Sequence, residues 1–402
     1  MIDQRIRRGM TAAVLVAASL PACTSESRAG TSQRGGETVV DTIGGTAWTR
    51  NVAEPQWRSA EQWTIREDFR IGTPNGEPHT IFSGIGHLVS RAPDGRLYVL
   101  DGQTATVRLY TGEGAFVREF AGKGYGPGEL LKPMAMATDS AGLLWVASFN
   151  SRYTVFDSTG AVVRTVARSL RSSARLQYAL HFRSDGSFID ERGTATEVVL
   201  SRVRDDGTPL QESAGIPHPS RPPEILKLPV RSGSPFRNAL PFLPRVVWAL
   251  ADDGTVWSAE THSYRLVNRT FEGDTLRVVE TAHRPRRLDP ADRDVVERGL
   301  VEVGHRDLMD AFATHRVHRV IPLHDGHVLV QVPGDLDEPG AEFDVFDRDG
   351  VFLGTVVAPF AIPQRSAPAI WGDTIAAVVL DEASVPVLVR ATIQRGTTNG
   401  RH

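Results

Sequence analysis

One cysteine, Cys23, is the whole thiol content of this 402-residue chain. A single thiol excludes a disulfide framework, a cysteine-held metal cluster and a CxxC redox pair. A dominant charge is missing too: 45 Lys plus Arg stand against 48 Asp plus Glu, a formal net charge of −3. Such a balance gives no general pull toward nucleic acid or anionic lipid, and no basic stripe or nucleic-acid module is present. After residue 22 no apolar run approaches the ~20 residues that a membrane-spanning helix needs. The sequence also lacks GxxxxGK[ST], GxGxxG, GxSxG and HExxH, so phosphate-loop, dinucleotide, serine-hydrolase and zincin chemistries lose their usual signatures. Helix-period patterns are scarce, while glycine (37) and proline (25) are plentiful. That combination favours many short strands joined by tight turns.

The first residues have a different character from the rest. Three arginines lie within residues 1–8, residues 11–20 form a short apolar run, and Leu20-Pro21-Ala22 leads into Cys23. A charged start, a short hydrophobic segment and a small-residue cleavage site make a secretory signal. The ending resembles the lipobox of bacterial lipoproteins. That resemblance implies that residues 1–22 are a signal peptide and that Cys23 is lipidated as the first mature residue. The same residues also allow a plain signal peptide with an incidental cysteine. The expected location is outside the cytoplasm, lipid-anchored to a bacterial membrane, at the outer membrane or cell surface. Residues 24–46 are mainly Ser, Thr, Gly and charged, and 23–55 is expected to be a flexible tether.

Self-comparison reveals a repeat. Residues 85–122 align with 133–167, pairing Gly95 with Gly142, Tyr98 with Trp145, Tyr110 with Phe156, Gly114 with Gly160 and Val117-Arg118 with Val163-Arg164. The offset of 46 or 47 residues is the length of a four-stranded unit with glycine hairpin turns. Weaker copies occupy 178–212, 245–280 and 317–357. A last unit at 366–394 stops one strand short, and residues 63–71 (WTIREDFRI) can supply the missing strand. The fold class is therefore all-β, a six-bladed β-propeller of four-stranded blades over residues 56–395, closed by an N-terminal strand and followed by a polar tail, 396–402. The segment GKGYGPGE at 122–129, with Pro133 after it, is similar to the inter-blade signature of NHL repeats. The chain resembles bacterial six-bladed propeller lipoproteins of the NHL/TolB-like type over about 55–395, most sharply in the first two units. Core positions are expected at Tyr98, Tyr110, Phe116, Phe120, Trp145, Phe156 and Trp257.

In this topology the long connections 121–133, 168–178, 213–244 and 281–316 return to one face, where binding loops belong. Within the last, residues 289–314 read as a short helical insertion starting at Pro290, with Val295, Val296, Leu300, Val303, Leu308 and Phe312 on one side. It serves either as a lid or docking surface, or as a plug over the channel. Eight residues before each turn glycine lie His87, Met134, Tyr178, Val246 and His318, with Arg365 as an approximate sixth. These candidate channel-mouth contacts could hold an anion or polar ligand, or simply line a wet channel. His305, His315, His318, His324 and His327 are not expected to form a metal site, because the topology spreads them over both faces. Some propellers of related shape are calcium-dependent lactonases or esterases, and calcium takes oxygen ligands. Asp101, Asn150, Asp190, Glu191 and Glu260 fall near second-strand ends, but the inner strands offer no matching set. Calcium is thus the one cofactor left open, and no catalytic residue is assigned. The glycines of 122–129 serve a tight connection rather than a phosphate cradle. The reading is a lipid-anchored binding or scaffolding module at the cell envelope that meets a protein, peptide or glycan, with a calcium-dependent propeller hydrolase as the alternative.

Overall fold

The computed structural model describes residues 38–396 apart from 53, 58–60, 84–85, 169–177, 194–196, 219–245, 262, 282–289, 303–305, 307–308, 310–316, 333–340, 364–365 and 382. The signal region and Cys23 lie outside the described residues.

Six antiparallel sheets follow one another along the chain as blades. Blade one is made of His87–Arg91, Leu97–Asp101, Thr106–Tyr110 and Phe116–Ala121, and blade two of Pro133–Thr138, Leu144–Ser148, Arg152–Phe156 and Val162–Ala167. Blade three runs His181–Phe182, Phe188–Gly193, Glu197–Val203 and Pro209–Glu212, and blade four Val246–Leu250, Val256–Glu260, Arg265–Arg269 and Thr275–Thr281. Arg319–Pro322, Val328–Val332, Ala341–Phe346 and Phe352–Ala358 form blade five. In blade six, Ala369–Trp371, Thr374–Leu380 and Pro386–Gln394 are completed by Thr64–Ile71, which pairs antiparallel from Thr64↔Gln394 to Ile71↔Leu388. This is the six-bladed β-propeller expected from the repeat, closed by its N-terminal strand.

The repeat glycines act where expected. Gly95, Gly142, Gly186, Gly254, Gly326 and Gly372 stand at the first turn of each blade with φ between +51° and +90°, a region costly for residues with a Cβ. Strand alternation then sends successive side chains into opposite seams between blades. In blade one, Val99 meets Val378 and Leu388 of blade six, while Leu100 meets Val146 and Phe156 of blade two. Tyr98, Tyr110, Trp145 and Phe156 are fully buried, Trp257 nearly so and Phe120 partly. Phe116 departs from expectation: it is 38% exposed, on an outer strand, and stacks on His79 at 4.3 Å.

Two features depart from the repeat. Blade three's inner strand is broken, and Tyr178–Ala179 pairs in parallel with Ala135 and Met136 of blade two. The tether expected over 23–55 is cut short by structure. Val39–Ile43 and Thr46–Asn51 form a hairpin around Gly44-Gly45, and the second strand pairs in parallel with Thr275–Thr281 of blade four. The polar composition masked an alternating Val-Val-Asp-Thr-Ile stretch before a Gly-Gly turn, which is a hairpin signal. From there the chain crosses to blade five. Asn51 donates to the Gly350 carbonyl at 2.8 Å and accepts from the Phe352 amide at 2.7 Å, and the Trp57 amide donates to Leu353 at 2.8 Å. Residues 39–57 are thus a belt over the outer edges of blades four and five that leads into the closing strand. The outermost strand leaves Val39, Val40 and Ile43 exposed, and Asp41 takes the Thr42 amide for itself at 2.7 Å. A charge on an exposed edge, with one amide already used, discourages pairing with another strand.

The helix of the 281–316 connection is Pro290–Glu302, with Val296 and Leu300 fully buried. Val303, Leu308 and Phe312 lie outside the described residues. Asn51→Ala removes both of that side chain's bonds to blade five and leaves the buried Phe352 amide without its acceptor. We expect a loss of about 2 kcal/mol in urea unfolding, with earlier proteolytic cleavage near residue 55.

Candidate functional site

Of the predicted channel-mouth residues, His87 and Met134 lie in different seams. His87 is buried in the seam between blades six and one, with its ring edge against Phe82 at 5.9 Å and Nε2 3.6 Å from an Asp101 oxygen. Met134 packs into the blade two–three seam with Trp145, Tyr153 and Phe188. Tyr178 is held by backbone pairing to blade two. His318 is half-buried, and its amide donates to Gln331 at 2.8 Å. Arg365 lies outside the described residues. The physical reason for His87 and Met134 is strand alternation, which turns successive inner-strand side chains into opposite seams.

The polar groups at the second-strand ends brace the same face. Burial works against ionisation of Asp101, but the nearby His87 ring and hydrogen bonds from Ser83 outweigh it and hold the carboxyl well below the usual range. It accepts from the amides of Ser83 (2.8 Å), Gln103 (3.0 Å) and Thr104 (3.1 Å). Asp190 is buried in the next seam but one, paired with Arg168 at 2.7 and 3.0 Å and receiving the Tyr153 hydroxyl at 2.5 Å. Both carboxylates are therefore structural. Glu191 points into the other seam, where the Trp248 indole donates to it at 2.8 Å. Burial raises its carboxyl to about 7, with the neighbouring Asp190 adding to the shift. Beside it His181, 6.0 Å from Trp248 between ring centres, is lowered to about 4 by burial. Glu260 is exposed and Asn150 half-buried. Among the described residues no group of three or more His, Cys, Asp or Glu side chains could hold a metal ion.

The connection from blade one to blade two shows what its glycines do. Arg152 donates to the carbonyls of Tyr125 (3.3 Å), Gly126 (3.2 Å) and Glu129 (2.6 Å), binding the loop to blade two. Glu129 folds back to accept the Gly126 amide at 2.8 Å, and a Cβ on Gly124 would lie 1.9 Å from its carboxylate. Gly124 thus serves close packing of Glu129, and no phosphate cradle is needed to explain the motif. The braced loop holds Tyr125 out to solvent, 74% exposed. In the second-to-third-strand turn of blade two, the Phe149 amide is tied to Leu131 of the same connection at 3.0 Å while its ring is 59% exposed. Sequence reasoning missed both aromatics, because the repeat alignment attends to core positions.

Backbone strain separates the two faces. Among the described residues the non-glycine positions with positive φ are Ala105, Ala121, Lys132, Ser151 and Ser384. All five lie in second-to-third-strand turns or blade connections, on the face of the long loops. Opposite them, the first and third turns of the blades place glycine at such positions, as at Gly95, Gly114, Gly142 and Gly160. A left-handed Ala or Ser costs about 1 kcal/mol that glycine would avoid. Uncompensated strain of this kind gathers at functional surfaces.

No family model matches the chain, and no curated protein does. Solved structures with the same architecture are similar at low identity. A Bacteroides fragilis protein provisionally named an exported protein shares 9% identity, over 87% of this chain and 100% of its own, with a TM-score of 0.51. A Bacteroides vulgatus protein of the DUF4221 family shares 10% over 84% of this chain and 99% of its own, TM-score 0.49. Virginiamycin B lyase from Staphylococcus aureus shares 10% over 82% and 99%, TM-score 0.41. At these identities the likeness is one of fold alone.

The Glu191 carboxyl yields a pH prediction. Its folded value of about 7 lies above its ordinary 4.5. As pH rises between these values the unfolded chain gives up the proton and the folded chain keeps it, so stability falls across that window and levels off above 7. Glu191→Gln should therefore match wild type in melting temperature at pH 4 and exceed it at pH 8, measured by calorimetry. Parallel curves for the two proteins would refute the assignment.

Proposed function

We propose that the protein is an exported, lipid-anchored β-propeller of the NHL/TolB-like type that works as a binding module at the cell envelope through its long-loop face. The observation that carries this reading is the pair Tyr125 and Phe149, large rings held in water by loops whose own backbone is clamped and strained. Exposed aromatics on rigid supports lose little freedom when they bind, and such rings supply much of the energy of recognition. The opposite face, with its short glycine turns, has no comparable feature among the described residues.

The anchor follows from residues 1–23, where a signal-like start leads to the single cysteine. A lipid on Cys23 would leave only 15 residues before the hairpin that begins at Val39. The tether expected over 23–55 is thereby reduced to those residues, and the chain meets the ring at blade four. The name given to the Bacteroides fragilis propeller agrees with export.

Two measurements test the reading. Radiolabelled palmitate fed to expressing bacteria should enter the wild-type chain and be lost in Cys23→Ala; equal labelling would defeat the anchor. A photo-crosslinking amino acid placed at Tyr125 or Phe149 should give discrete adducts in cells, and one placed at the exposed Asp94 on the opposite face should not. Adducts from all three positions, or from none, would reject the binding face.

A further inference from the structure

The basic residues of this chain are almost all arginine. Of 45, only Lys123, Lys132 and Lys227 are lysine. Arginine does the structural work that needs a planar fork, as Arg168 does on Asp190 and Arg152 on three carbonyls. Lysine is a compact point charge on a flexible stem, poorly suited to those tasks. Two of the three lysines nevertheless stand on one connection, on either side of the exposed Tyr125.

Lys132 combines three unusual properties. It is one of the rare lysines, its backbone is held at φ +46°, and its ammonium lies 5.6 Å from the centre of the exposed Phe149 ring. Lys123 is exposed. Neither lysine is paired with a carboxylate among the described residues, and the nearest acid of the loop, Glu129, is turned inward to the Gly126 amide. The patch therefore offers two aromatic faces and two uncompensated positive charges.

Part of the main chain of the same patch is already engaged. The Gly124 amide bonds to Leu130 at 3.2 Å, the Leu130 amide to Gly122 at 2.7 Å, and the Phe149 amide to Leu131. Arg152 covers three of the carbonyls. A peptide that adds by backbone hydrogen bonds would lose these groups, whereas a ligand held by side-chain faces and charge would not.

Resting on the reading that this is the binding face, we propose that it takes an anionic glycan. Sugar rings lie on Tyr125 and Phe149, and a carboxylate or phosphate on the glycan meets Lys123 and Lys132. The left-handed backbone at Lys132 would suit glycine, yet the position carries a charge that lies over the Phe149 ring.

The test uses the purified full chain in detergent and four probes: polygalacturonate for carboxylate, phosphomannan for phosphate, neutral dextran, and poly-L-glutamate as the acidic peptide. Affinity electrophoresis should show retardation by one or both anionic glycans, weakening with salt, and little by dextran or poly-L-glutamate. The first two probes decide which anion is read. Lys132→Gly keeps the left-handed backbone without strain, so it removes the charge without endangering the fold. It and Phe149→Ala should each weaken glycan binding about tenfold. Lys132→Arg should retain part of the affinity. Equal retardation by dextran, preference for poly-L-glutamate, unchanged binding by Lys132→Gly, or no binding of either glycan would each overturn the proposal. If no glycan binds while crosslinks persist at Tyr125 and Phe149, the ligand class is wrong and the binding face stands. If the crosslinks are absent as well, both fall.

Discussion

The pairing of Thr64–Ile71 with Pro386–Gln394 is the constraint on which the ring depends. It joins residues as far apart as Thr64 and Gln394, 330 positions along the chain, and without it blade six would end in an open edge. Each blade can form from local hairpins, but its two faces are apolar and must be covered by neighbours on both sides. Closing the ring covers the last two faces at once. The entropy of bringing the ends together grows only slowly with chain length, so one such closure is a modest cost against six buried seams.

The belt at residues 39–57 extends that closure. Because the closing strand is N-terminal, whatever precedes it must leave along the outside of the ring. Here it does so by adding two strands to blade four and pinning Asn51 between Gly350 and Phe352 of blade five. Blades four, five and six are thereby tied together by one continuous segment. Fewer repeat signals mark these blades in the sequence, and they receive the most external bracing.

Much of the scaffold was legible from residues alone. The turn glycines, the 46-residue offset and the strand missing from the last unit all reported the topology, because each is dictated by local geometry. The belt was not, since its polar composition resembles a linker and its partner strands lie more than two hundred residues away. The candidate site was the least legible part. Registering inner strands found His87 and Met134 at the right height but not their direction, which alternation turns into separate seams. Glu191 and Trp248 come together from different blades, and no spacing rule connects them. Tyr125 was visible in the glycine-rich connection, but only the Arg152 and Glu129 clamps show that it is held outward.

The contrast between the two faces ties these strands of argument together. Hairpin turns on one side are relaxed by glycine. On the other side Ala105, Ala121, Lys132, Ser151 and Ser384 hold a conformation that glycine would adopt more easily. Ala105 and Ala121 pack into the seam between blades one and two, but Lys132, Ser151 and Ser384 are exposed and gain no such packing, and a ring this well closed tolerates the strain. Buried pairs such as Arg168–Asp190 and the Asp101 cluster stiffen the same side from beneath. A rigid base, strained loops and exposed rings form one arrangement, in which stability given up at the surface is offset by the closure of the ring below it. Strain and exposed rings are thus gathered in the blade connections, above inner-strand side chains such as His87 and Met134 that are buried in the seams.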